Sequence, residues 1–146
     1  MNAKVDLYDG AYGRYDAEVY RAIREETYGL DLGQTSWVTN EESAEIVRWL
    51  ELTSASNALE IGCGSGRYAL HVASKVGCRV TGIDLNEPGI PQARKLAEGE
   101  GLAERVRFEN ADASKELRFA DGEFDAIFSN DVLCHIPGRE GLLREM

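Results

Sequence analysis

The stretch Leu59-Glu60-Ile61-Gly62-Cys63-Gly64-Ser65-Gly66-Arg67 decides the fold. A short apolar run, Ala58 to Ile61, gives way to three glycines at alternate positions, and helix-like spacing begins at Arg67. Glycines placed this way let the backbone turn sharply and approach a ligand without Cβ interference, while N–H groups at the start of the helix offer donors. A tight turn with no ligand is the other reading of the same run. Working outward, the helix predicted over Arg67 to Val76 ends at Gly77, and a second, from about Ile90 to Glu100, ends at Gly101, each glycine being a suitable C-terminal cap. Arg79 to Ile83, Val106 to Phe108 and Phe124 to Phe128 read as three further strands bounded by turn residues. Strand and helix alternate, and parallel neighbours need a long return connection, so the expected fold is doubly wound α/β with a parallel sheet and helices on both faces.

Upstream, Tyr8, Tyr12, Tyr15, Tyr20 and Tyr28 punctuate a glycine-rich segment with a predicted helix from about Asp16 to Glu26. Residues 1–39 read as a helical lid or adaptor, and 40–146 as the main domain. Thr39 followed by Glu42 is a capping-box signature for a helix from about Asn40 to Leu52, with Ile46, Val47, Trp49 and Leu50 as its apolar face.

The 146 residues suffice for one domain, and 43% hydrophobic with 29% charged residues is an ordinary globular composition. A net charge of -10 disfavours a nucleic-acid partner, which calls for a basic face. Met1 to Gly10 carries Lys4, Asp6 and Asp9 and no apolar run, so neither secretion signal nor membrane anchor is expected there, and a cytoplasmic location follows by default. Cys63, Cys78 and Cys134 lack metal-ligand spacing and read as reduced, partly buried thiols, so no metal is expected.

In a doubly wound sheet, ligands sit beyond the carboxyl ends of the strands. The second strand ends in Gly82-Ile83-Asp84-Leu85-Asn86, where the Asp84 carboxylate can accept from both hydroxyls of a ribose. The third is followed by Asn110-Ala111-Asp112-Ala113, which puts Asp112 where the exocyclic amine of an adenine would fall. A surface turn aspartate is the alternative for either acid. The fourth leads into Ser129-Asn130-Asp131-Val132-Leu133-Cys134-His135, and His135 is a candidate base beside the reacting centre, or else a structural histidine.

LEIGCGSG at 59–66, GIDLN at 82–86, NADA at 110–113 and FDAIFSNDVLCHI at 124–136 resemble the successive motifs of class I S-adenosylmethionine-dependent methyltransferases, which have a Rossmann-like fold. The resemblance implies that Gly62, Gly64 and Gly66 line the methionine part of S-adenosyl-L-methionine. It also implies that Asp84 binds the ribose, Leu85 flanks the adenine and Asp112 bonds its amine. Cys63, Ala113 and Asn130 fall in the same motifs and join the cofactor-binding set, and Glu60 would face the cationic sulfonium and amino group, where a carboxylate is attractive. The segment from Tyr28 to Trp37 adds a likeness to small-molecule N-methyltransferases of the phosphoethanolamine and sarcosine type. That likeness implies a lid over the cofactor and a Tyr20–His135 pair near the acceptor, which would be a small molecule, an amine being one class.

Two other readings stand beside this one. A nicotinamide-dependent oxidoreductase needs glycine where Arg67 stands, and Glu60 would repel its pyrophosphate. A non-catalytic cofactor-binding fragment or partner subunit is the second, because the resembled family has seven strands and four are found. The expectation is of a fold truncated after the fourth strand, exposing Ile127 and Phe128 on an edge that a second copy or another chain would complete.

Overall fold

The computed structural model describes residues 17–29, 31 and 39–146. Tyr8, Tyr12, Tyr15, most of the Tyr28 to Trp37 segment and the 1–39 lid as a unit lie outside the described residues. The elements are α1 (Glu18–Tyr28), α2 (Asn40–Trp49), β1 (Asn57–Ile61), α3 (Arg67–Val76), β2 (Arg79–Asp84), α4 (Gly89–Gly99), β3 (Val106–Asn110), β4 (Ala126–Phe128), a 3₁₀ turn (Leu133–His135) and α5 (Arg139–Glu145).

The strands form one parallel sheet in the order β3-β2-β1-β4. The chain steps outward from β1 to β3 and then returns to the other side of β1, so the strand order reverses between β1 and β4. That reversal opens a crevice at the carboxyl ends, the place where such sheets take ligands. On one face, Ala58, Val80 and Phe108 pack beneath α3 and α4 through residues such as Leu70, Val72 and Ala93. On the other, Leu59, Ile61 and Ile83 meet Leu142 of α5 and the connection through Leu117, Phe119 and Phe124. Burial on both faces explains why β1 reads as a continuous apolar run rather than an alternating one.

α3 begins and ends where its sequence signals put it, and Gly77 caps it at φ 80° with its N–H on the Ala73 carbonyl. The Thr39–Glu42 capping box is formed on both sides. Four expectations need correction. β4 is shorter than Phe124 to Phe128, because Asp125 turns its carboxylate onto the Asn57 N–H at 2.8 Å and Phe124 stacks edge-on against Phe119 instead. Trp49 is 73% exposed, since at helical spacing it falls outside the stripe made by Ile46, Val47 and Leu50. Cys134 is exposed, whereas Cys63 and Cys78 are buried. Finally, Phe128 is buried edge-on against Tyr68 of α3, and of the expected exposed edge pair Ile127 is half-buried.

Candidate functional site

The loop after β1 is lashed to the end of β2. Gly62 and Cys63 both donate their N–H to the Ile83 carbonyl at 2.8 and 3.0 Å, Gly64 N–H donates to Asp84 Oδ2 at 2.7 Å, and Gly66 N–H donates to the Cys63 carbonyl at 2.8 Å. Gly62, Gly64 and Gly66 all have positive φ, which L side chains rarely adopt. Two of them also allow close packing. A Cβ on Gly62 would lie 2.4 Å from Val132, and one on Gly66 would lie 2.5 Å from Phe108. Within the loop itself, the N–H groups of residues 62, 63, 64 and 66 are already engaged by the chain.

Asp84 is the hub of the arrangement. Its Oδ2 accepts from Gly64 N–H and its Oδ1 from Asn86 N–H at 2.8 Å, so each oxygen keeps acceptor capacity toward the crevice. Leu85, the next residue, is 69% exposed. Asn110, to which the sequence reading gave no role, fixes this corner: its Nδ2 donates to the Asp84 and Leu85 carbonyls, each at 3.0 Å. Asp84 pairs with Asn110 in register, so Asp112 begins two residues beyond the same strand tip. The two acids share one end of the sheet.

Asp112 has local partners of its own. Its Oδ1 accepts from Ser114 Oγ at 2.6 Å and Ser114 N–H at 3.0 Å, and Lys115 Nζ lies 3.1 Å from Oδ2. The Ser114 bonds, then Lys115, hold its carboxyl below the usual range. The Asp-x-Ser spacing is the signal for such a turn. Ala113 is half-buried beside it.

Glu60 points from β1 into the face covered by α3 and is 2% exposed. Burial, followed by the neighbouring Asp84 carboxylate, pushes its pKa up to about 8, with the Ala69 backbone N–H and the Asn130 side chain acting in the other direction. Glu60 Oε2 and Asn130 Nδ2 are buried without a hydrogen-bond partner among the described residues. The carboxyl is thus mostly protonated at neutral pH unless a cation joins it, which amends the view of Glu60 as a standing negative charge. Cys63, next along the loop, has its thiol pushed up by burial and then by Glu60 and Asp84.

The crevice's far wall follows β4. Ser129 Oγ donates to the Ile61 carbonyl at 2.8 Å, tying the β4 tip to β1. Asp131 sits at φ 54°, and Val132 lies against Gly62. Ser129 and Val132 were quoted in the motif without a role, and only their place just after a strand could have marked them. His135 stands exposed on the 3₁₀ turn, and Tyr20 is 45% exposed on α1. Among the described residues no hydrogen bond or ring contact joins Tyr20 to His135. The structure therefore brings Glu60, the glycine loop, Asp84, Leu85, Asp112 and Asn130 to one end of the sheet, and does not pair Tyr20 with His135.

The family described as methyltransferase domain matches residues 58–146. Norajmaline N-methyltransferase of Rauvolfia serpentina is 37% identical over 90 residues, covering 62% of this chain and 30% of that protein. The 27-O-demethylrifamycin SV methyltransferase of Amycolatopsis mediterranei is 31% identical over 140 residues, covering 90% and 50%. A solved S-adenosylmethionine-dependent methyltransferase from Thiobacillus denitrificans, in complex with S-adenosyl-L-homocysteine, superposes with a TM-score of 0.65 at 27% identity, covering 84% of this chain and 50% of that one. The chain thus spans half or less of the length of these relatives. With motif order, sheet topology and family match in agreement, it belongs to the class I S-adenosylmethionine-dependent methyltransferases.

Proposed function

We propose that residues 40–146 form the cofactor-binding half of an enzyme that moves a methyl group from S-adenosyl-L-methionine to a small-molecule acceptor, an amine, with residues 1–39 as its lid. One observation carries the reading: Asp84 holds the glycine loop through Oδ2 and the Asn86 N–H through Oδ1, and keeps further lone pairs for two ribose hydroxyls, beside the exposed Leu85 that an adenine would cover. The buried Glu60 Oε2 offers an acceptor to the cationic amino group, and the buried Asn130 Nδ2 offers a donor to the carboxylate of the same amino-acid end. Asp112 would receive the adenine amine in place of Lys115, whose side chain is 77% exposed and easily displaced.

When bound, the cofactor supplies a methyl group on a sulfonium whose leaving group departs neutral. The chain's task is then alignment and exclusion of water, and proximity contributes about 7 to 11 kcal/mol to such a barrier. His135, just beyond β4, would take the proton that an amine must lose to expose its lone pair. A small-molecule acceptor is supported by relatives named for norajmaline and 27-O-demethylrifamycin SV, and by a net charge of -10 that disfavours nucleic acid. A non-catalytic cofactor-binding role is favoured by a single fact, the half-length match.

The ribose assignment is tested by comparing adenosine with 2′,3′-dideoxyadenosine in calorimetric titrations of wild type and Asp84→Ala. Wild type should prefer adenosine by about 1 to 3 kcal/mol, as for hydrogen bonds to a charged acceptor, and the variant should lose that preference. Because Asp84 also holds the loop, the difference between ligands, not the absolute affinity, is the readout. A preference that survives in the variant contradicts the assignment.

A further inference from the structure

α1 buries no apolar side chain; Val19 and Ile23 are 61% and 52% exposed, and the residue it does bury is a cation, Arg24. A buried charge needs a partner. Asp31 provides it bidentately, Arg24 Nε donating to Oδ1 at 2.7 Å and Nη2 to Oδ2 at 3.1 Å. Gly29 makes the return possible: at φ 76° it ends α1 with its N–H on the Glu25 carbonyl, and the chain folds back so that the residue seven after Arg24 meets it. The same carboxylate reaches a second element. Asp31 Oδ2 lies 4.0 Å from Nε of Arg67, the first residue of α3 and the one that follows Gly66. One side chain therefore spans the N-terminal helix and the α3 end of the glycine loop. Its neighbour Tyr68 holds α2 in the same turn, donating to the Ser43 carbonyl at 3.2 Å.

We propose that Asp31 is a positioning residue of the cofactor site: through Arg67 it sets the α3 end of the glycine loop and through Arg24 it ties α1 to that loop, so that ligand binding at the loop and docking of α1 are coupled. The bidentate geometry of the Arg24–Asp31 pair makes that tie directional, and the Arg67 contact at 4.0 Å adds a charge–charge attraction between side chains 21% and 7% exposed. The proposal rests on the cofactor reading above, and its test separates the two. Ligand contact at the loop should tighten α1, and release of α1 should loosen the loop, since coupling between sites is reciprocal.

Hydrogen exchange on the whole chain, with and without S-adenosyl-L-homocysteine, is compared for wild type, Asp31→Ala and the milder Asp31→Asn. Both variants should exchange faster in α1 and at Ser65 to Arg67 together, with β1 and β2 unchanged. Asp31→Ala should weaken S-adenosyl-L-methionine about ten-fold, a typical coupling, while 5′-methylthioadenosine, which lacks the amino-acid portion, stays within about two-fold. Faster exchange in α1 alone, equal loss for both ligands, or no change in either variant overturns the proposal. Should wild type bind neither ligand, the cofactor reading fails while the exchange of α1 and the loop still decides the coupling.

Discussion

Glu60 is a carboxyl group whose state depends on what joins it. Its pKa, raised from 4.5 to about 8, means the folded chain binds a proton that the unfolded chain has released. Stability from this group is whole below pH 4.5 and is lost as the pH rises through about 8, at no more than about 1.4 kcal/mol per pH unit, the limit for one proton. Denaturation of the ligand-free protein across that window should show the decline in wild type and a flatter profile in Glu60→Gln; parallel profiles would count against a buried, neutral Glu60. A cationic ligand favours the ionised form, so its binding near neutrality should release a proton. None of this was legible in the sequence, because the desolvation comes from α3 and β4 closing over β1. Asp112 was more legible: Ser114 two residues on announces the turn that now engages it. His135 gave only its place after a strand. Its replacement by alanine should lower methyl transfer to an amine by about two to four orders of magnitude with cofactor affinity unchanged. Equal losses in turnover and affinity would remove it from the mechanism.

Between elements, the loop after β1 is where three strands' ends are fitted together, and its glycines differ in what they contribute. Gly62→Ala would strain a backbone at φ 77° and place its Cβ 2.4 Å from Val132. Left-handed backbone costs about 1 to 2 kcal/mol and overpacking about 1 to 3 more. Gly101, at φ 69° with nothing within 4 Å, carries the backbone cost alone. Denaturant midpoints of the two alanine variants should therefore differ, Gly62→Ala being the less stable; equal destabilisation would show that Val132 yields without cost. The path from β1 through α3 was readable because a strand, a glycine loop and a capping glycine are local signals. The start of β4 was not, because Asp125 and Asn57, 68 residues apart, set where it begins. Trp49 was misplaced because hydrophobicity was read without its angle around α2.

At the scale of the whole molecule, the alternation of strands and helices fixed a parallel doubly wound sheet, and the order β3-β2-β1-β4 puts every motif at one end of it. The end of the sheet at which each acid would emerge followed from its place just after a predicted strand, whereas the engaged N–H groups of the loop and the roles of Asn110 and Ser129 required three dimensions. The central claim is that this end of the sheet holds a sulfonium nucleoside and not a dinucleotide. Calorimetric titration of the protein with S-adenosyl-L-methionine, beside a matched titration with nicotinamide adenine dinucleotide, tests it most directly. Saturable one-to-one binding of the first and none of the second is the predicted result; binding of the dinucleotide, or of neither, contradicts the account.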